Sequence, residues 1–244
     1  MLVAARRTGR GQVRAYLAAD ILRRLSERSR LAPTVIDLAP GGEDDLRTVC
    51  AEPNIHPPRQ TLTAPVTADQ LAGLFADGVR EPVFDVGVRL GQAEPAVEGL
   101  AGYWVDVAAE TDGTGRERAG TWRERLARGE EPLAVRMKLM RLGYGEAVGD
   151  GEDFDGTDLD AETETIARWR KLVAFWARSP SGPVSRRYAE AITAAFEGDL
   201  NTKVALREMD ALAADPGEPD GVKFETFAAA DMLLGLDLAR DIGR

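Results

Sequence analysis

The sequence predicts an α/β protein in which a reduced parallel α/β layer is followed by an all-helical bundle. Three observations lead there. The chain opens as strand, glycine loop, helix and strand, the start of a nucleotide-binding α/β unit. A glycine-rich polar stretch at Thr111–Gly120 breaks the chain near its middle. Beyond Pro132 the apolar residues fall at helical spacing. The expected division is residues 1–125 as a Rossmann-like nucleotide-binding domain and residues 126–244 as a helical bundle.

The elements follow in order. Met1–Ala5 reads as a short buried strand, and Arg6-Arg7-Thr8-Gly9-Arg10-Gly11 as a loop whose glycines permit tight turns. From Gln12 to Ser29, Val13, Leu17, Ile21 and Leu25 recur at i+4 and predict a helix. Leu31–Leu38 reads as a second strand, and Ala39-Pro40-Gly41-Gly42 as a turn. Asp44–Glu52 and Thr67–Phe75 read as short helices, with a loop at Pro57-Pro58 between them. Pro82–Leu90 is a further strand, and Ala101–Ala108 fits either strand or helix. Helices are then expected at Pro132–Leu142, around Ile166–Trp176, around Tyr188–Phe196, at Lys203–Ala213 and at Phe224–Leu238.

Composition narrows the function classes. The 244 residues are 44% apolar and 30% charged, ordinary for a globular protein. No apolar run approaches the roughly 18 residues that span a bilayer, and the first residues lack the pattern of a secretory signal. A cytoplasmic protein without membrane partners is expected. The net charge is −10, yet the first 30 residues carry eight arginines against Asp20 and Glu27, a local charge of +6. An acidic body is a poor general platform for nucleic acid, while the basic start suits a small anion. Backbone N–H groups and the helix dipole behind Arg6, Gly9, Arg10, Gly11 and Gln12 make that turn the candidate phosphate or carboxylate site. Glu146–Glu164 holds nine acids and no lysine or arginine. Asp153, Asp155, Gly156 and Glu162 fall at calcium-loop-like spacing, but Gly151 stands where the first ligand belongs, so the stretch reads as an acidic linker.

Several segments together resemble the cysteinyl-tRNA synthetase and mycothiol cysteine ligase family. Gly11–Arg24 is similar to the segment that leaves the HIGH signature, and Asn54–Arg59 to a Pro-Pro-Arg element. Pro132–Leu139 and Ile166–Trp176 resemble two helices beyond the KMSKS loop. Ala195–Leu206, with Asp199-Leu200-Asn201-Thr202, is similar to the family's "DDLNTPKAL", and Ala229–Leu238 to the segment where the mycothiol branch ends. The resemblance implies a class I synthetase fold, and its end point favours the ligase branch and makes tRNA an unexpected partner.

The family's chemistry is harder to find. Where its HIGH histidines would stabilise ATP phosphates, this chain has Gly9, Arg10, Gly11 and Gln12. The region matching KMSKS has Arg116 and Arg118 and no lysine. The family binds its cysteine substrate through zinc, but Cys50 and His56 are the chain's single cysteine and histidine. The resemblance therefore implies a degenerate relative with no assigned catalytic residue. It would bind a small anionic or nucleotide ligand, or serve as the subunit of a protein partner or homo-oligomer. The alternative is a repurposed ATP-dependent amino-acid or acyl ligase, with arginines in place of the lost phosphate ligands. Elemental analysis of the purified protein should find no stoichiometric zinc; one zinc per chain would contradict the ligand count.

Overall fold

A computed structural model describes residues 2–4, 10–38, 53–62, 66–67, 86–90, 103–107, 131–145 and 159–244. The expected turn at 39–42, the helix at 44–52, nearly all of that at 67–75 and the loop at 111–120 lie outside the described residues. The chain forms two compact units, one of Met1–Ala119 with Tyr144–Glu152, the other of Gly120–Gly143 with Asp153–Arg244.

The first unit is an α/β layer. Its strands are β1 (Leu2–Ala4), β2 (Ile36–Asp37), β3 (Gln60–Thr61), β4 (Val86–Leu90) and β5 (Tyr103–Val107), with α1 spanning Arg10–Arg28. They form one sheet in the order β3-β2-β1-β4-β5, every pair parallel. Leu2 lies opposite Ile36 on one side and Gly87 on the other, and Val86 opposite Tyr103. The chain thus builds outward from β1 in one direction and then in the other.

Several expectations need correcting here. The helix starts at Arg10, two residues before Gln12. The strand expected over Leu31–Leu38 shrinks to Ile36–Asp37. Arg30 adopts φ 62°, and Pro33 restricts Ala32 and offers no N–H, so regular pairing begins only at Ile36. The ambiguous Ala101–Ala108 segment is a strand, at Tyr103–Val107. Residues 13–21 of α1 are all buried, so its first half is enclosed on every side rather than along one stripe.

The second unit contains α2 (Pro132–Leu142), α3 (Asp160–Trp176), α4 (Arg186–Asp199), α5 (Thr202–Ala214) and α6 (Asp220–Leu234). Its core gathers Trp169, Phe196, Met209 and Phe227, all essentially excluded from solvent. The Phe227 ring meets Trp169 edge-on at 5.7 Å and Trp176 at 5.1 Å. Pro132 at the first turn of α2 needs no acceptor for an N–H, and Glu131 accepts from Leu133 N at 3.3 Å. Between α4 and α5, Leu200 turns the chain at φ 48°, while Asn201 N donates to Ala195 O at 2.7 Å. Asn201 then caps α5 by accepting from Val204 N at 3.1 Å, and Thr202 Oγ1 donates to Met140 O of α2 at 2.5 Å.

The last helix is also corrected. It runs Asp220–Leu234, not Phe224–Leu238, because Gly235 takes φ 66° and ends it. The following segment stays buried at Leu236 and Leu238 and is held by side chains. Asp231 accepts from Leu236 N at 2.7 Å and Leu238 N at 2.8 Å. Arg136 Nε donates to Leu234 O, and Arg170 donates to Leu236 O at 3.1 Å and Asp237 O at 3.0 Å. Arg170 also pairs with Glu131 at 2.6 Å. Among the described residues no helix is long and apolar enough to cross a membrane.

Two predictions follow from this packing. A Cβ at Gly221 would lie 2.0 Å from Pro180 O, whereas one at Gly198 would meet nothing within 4 Å. Gly221→Ala should lower stability by about 1–3 kcal/mol in denaturant unfolding, and Gly198→Ala should not; equal behaviour would refute the close approach. Burial pushes the Asp231 carboxyl above its ordinary 3.8, against the pull of the Leu238 and Leu236 N–H groups. The folded chain therefore holds that proton more tightly. The group's contribution to stability is greatest below pH 3.8 and falls as pH rises through the raised value. Carboxyl-carbon NMR should show an Asp231 midpoint above 3.8, and a midpoint at or below it would contradict the burial.

Candidate functional site

The candidate site is defined by backbone placement. β1 ends at Ala4 and α1 begins at Arg10, so α1 starts just beyond the carboxyl edge of the sheet. There β1 lies between β2 and β4, with Ala4 opposite Arg89. This is where the strand order reverses, the place at which open parallel sheets leave a crevice. Arg10, Gly11 and Gln12 form the first turn of α1, which contains no acidic residue. The N–H groups of a first helical turn have no acceptor within the helix and stand at the positive end of its dipole. The arrangement can hold a small anion. Arg6, Gly9, Arg116 and Arg118 lie outside the described residues, so of the sequence candidates the structure brings together Arg10, Gly11 and Gln12.

Buried polar side chains fix the direction of α1. Tyr16 OH donates to Asp37 Oδ1 at 2.8 Å, across 21 residues of sequence. Thr61 Oγ1 donates to Asp37 Oδ2 at 3.4 Å. Asp37 is fully buried at the end of β2, so it ties α1 to β2 and β3. Arg14, also buried, donates to Tyr144 O at 3.2 Å.

One turn beyond Tyr16, Asp20 accepts from Arg24 Nε at 2.8 Å, Arg23 Nη2 at 3.0 Å and the backbone N–H of His56 at 3.2 Å. The last bond anchors the loop that leads through Pro57 and Pro58 into β3. Burial acts most strongly on the Arg23 guanidinium and lowers its pKa, but Asp20 and Glu27 together outweigh it and leave a net rise. The ring of His56 is exposed, its Nδ1 2.8 Å from Pro57 O.

Sequence reasoning missed Tyr16, Asp37 and Asp20 as orienting groups. Two signals were readable. Asp20 precedes Arg23 and Arg24 at i+3 and i+4, and Asp37 is a lone acid within Val35-Ile36-Asp37-Leu38. The partners of Asp37 were not readable, since they come from other elements.

In the helical unit a hollow of about 410 Å³ runs along one face of α3, lined by Glu164, Ala167, Arg168, Lys171 and Leu172. Arg168 there is paired with Asp210 at 2.8 Å. Among the described residues, no group of three or more histidine, cysteine, aspartate or glutamate side chains is placed to hold a metal ion.

No protein-family model matches the chain. Curated relatives do. The chain is 30% identical over 115 residues to the L-cysteine:1D-myo-inositol 2-amino-2-deoxy-alpha-D-glucopyranoside ligase of Xylanimonas cellulosilytica, a match covering 46% of the chain and 26% of that protein. The enzyme of the same name from Streptomyces griseus subsp. griseus matches at 30% over 116 residues, 45% of the chain and 26% of the relative. That from Kribbella flavida matches at 33% over 119 residues, 48% and 26%. The matched stretch therefore spans about a quarter of each relative's length. The resemblance to the mycothiol cysteine ligase branch, itself related to cysteinyl-tRNA synthetase, is borne out over that stretch.

Losing the Tyr16 hydroxyl would leave the buried Asp37 with one donor fewer. Tyr16→Phe should cost about 1–3 kcal/mol of stability, and Thr61→Val less, because its contact is longer. Denaturant midpoints of the two variants check the order; a larger loss in Thr61→Val would contradict it.

Proposed function

We propose that this chain is a degenerate relative of the mycothiol cysteine ligases that binds a small anionic or nucleotide-like ligand and does not adenylate cysteine. The observation that carries this reading is the start of α1. It stands at the carboxyl edge of a parallel sheet where the strand order reverses, and Arg10-Gly11-Gln12 forms its first turn. Backbone N–H groups serve an anion there whatever side chains surround them. The order β3-β2-β1-β4-β5 supports a Rossmann-like reading of the first unit; the proposed domains, residues 1–125 and 126–244, rest on the change to helical spacing beyond Pro132. Adenylation asks for more than an anion site. It needs charge placed where the transition state develops it, and removing one such group typically costs about 10²–10³ in rate. Gly9-Arg10-Gly11-Gln12 supplies no imidazole, and a single histidine and a single cysteine cannot build the family's zinc site. A cytoplasmic location and a role as partner subunit belong to the same proposal.

The arginines at 6, 10, 116 and 118 favour a second reading, an ATP-dependent amino-acid or acyl ligase that uses guanidinium groups as phosphate ligands. Two measurements separate the readings. Cysteine-dependent pyrophosphate exchange with ATP should be undetectable, while phosphate, AMP or ATP should raise the thermal midpoint. At 100 times its dissociation constant a ligand adds about 2.7 kcal/mol. Arg10→Ala and Arg6→Ala should weaken that binding by about tenfold, the worth of one charge-assisted hydrogen bond. Absence of a shift with all three ligands would refute the anion site. Robust exchange, lost in Arg116→Ala or Arg118→Ala, would establish the ligase instead.

A further inference from the structure

No further inference is drawn: the strongest candidate, the buried Glu162 carboxylate at the start of α3, whose Oε2 has no hydrogen-bond partner among the described residues and whose Oε1 lies 3.5 Å from Arg141 Nε, would need the acidic stretch at 146–158 to complete a cation site, and that stretch lies outside the described residues.

Discussion

A guanidinium group can be buried only where the protein replaces the water it gives up, and among the described residues three are buried, at Arg14, Arg136 and Arg170. Each donates to backbone carbonyls in irregular chain or at a helix end. Arg14 reaches Tyr144, Arg136 reaches the last residue of α6, and Arg170 reaches Leu236 and Asp237. The carbonyls gain donors that no ladder or helix supplies, and the charges gain acceptors. Both units depend on this exchange. In the helical unit it lets the segment after α6 run buried without regular structure, with Asp231 serving the opposite role as acceptor for two N–H groups. Glu131 completes the set by pairing with Arg170 and capping α2.

Much of the helical unit was legible because its signals are local. Period, Pro132 in the first turn of α2 and Asn201 before α5 all act within a few residues of where they stand. The end of α6 was misread for the same reason. Leu236 and Leu238 continue the apolar pattern, but Gly235 stops the helix, and side chains of α2 and α3 donate to carbonyls at and beyond its end. In the first unit β3 has two residues and no period to detect. The ambiguity of Ala101–Ala108 could be settled only by its partner, since Val88 opposite Val105 is a pairing and not a pattern. The candidate site divided in the same way. Its glycines and arginines were plain in the sequence, while the Tyr16–Asp37 tie that aims the helix joins residues from different elements.

The segments that carry the family resemblance have clear architectural roles here. Asn201 caps a helix, Thr202 joins α5 to α2, and Arg136 and Arg170 fasten the chain after α6. Resemblance in such residues speaks for a shared scaffold. Activity has to be argued from the site, which is why the ligand reading rests on the start of α1 and not on these matches.

The contact between Gly221 and Pro180 bears on how this sequence can diverge. Because the carbonyl of Pro180 fills the space a side chain at 221 would need, and Gly182 is similarly crowded by Val222, the start of α6 and the 180–182 segment are confined together. Neither can drift alone. A descendant that abandons glycine at 221 must first shift the facing backbone, so change in these two stretches, 39 to 41 residues apart in sequence, should arrive as one coupled step or not at all.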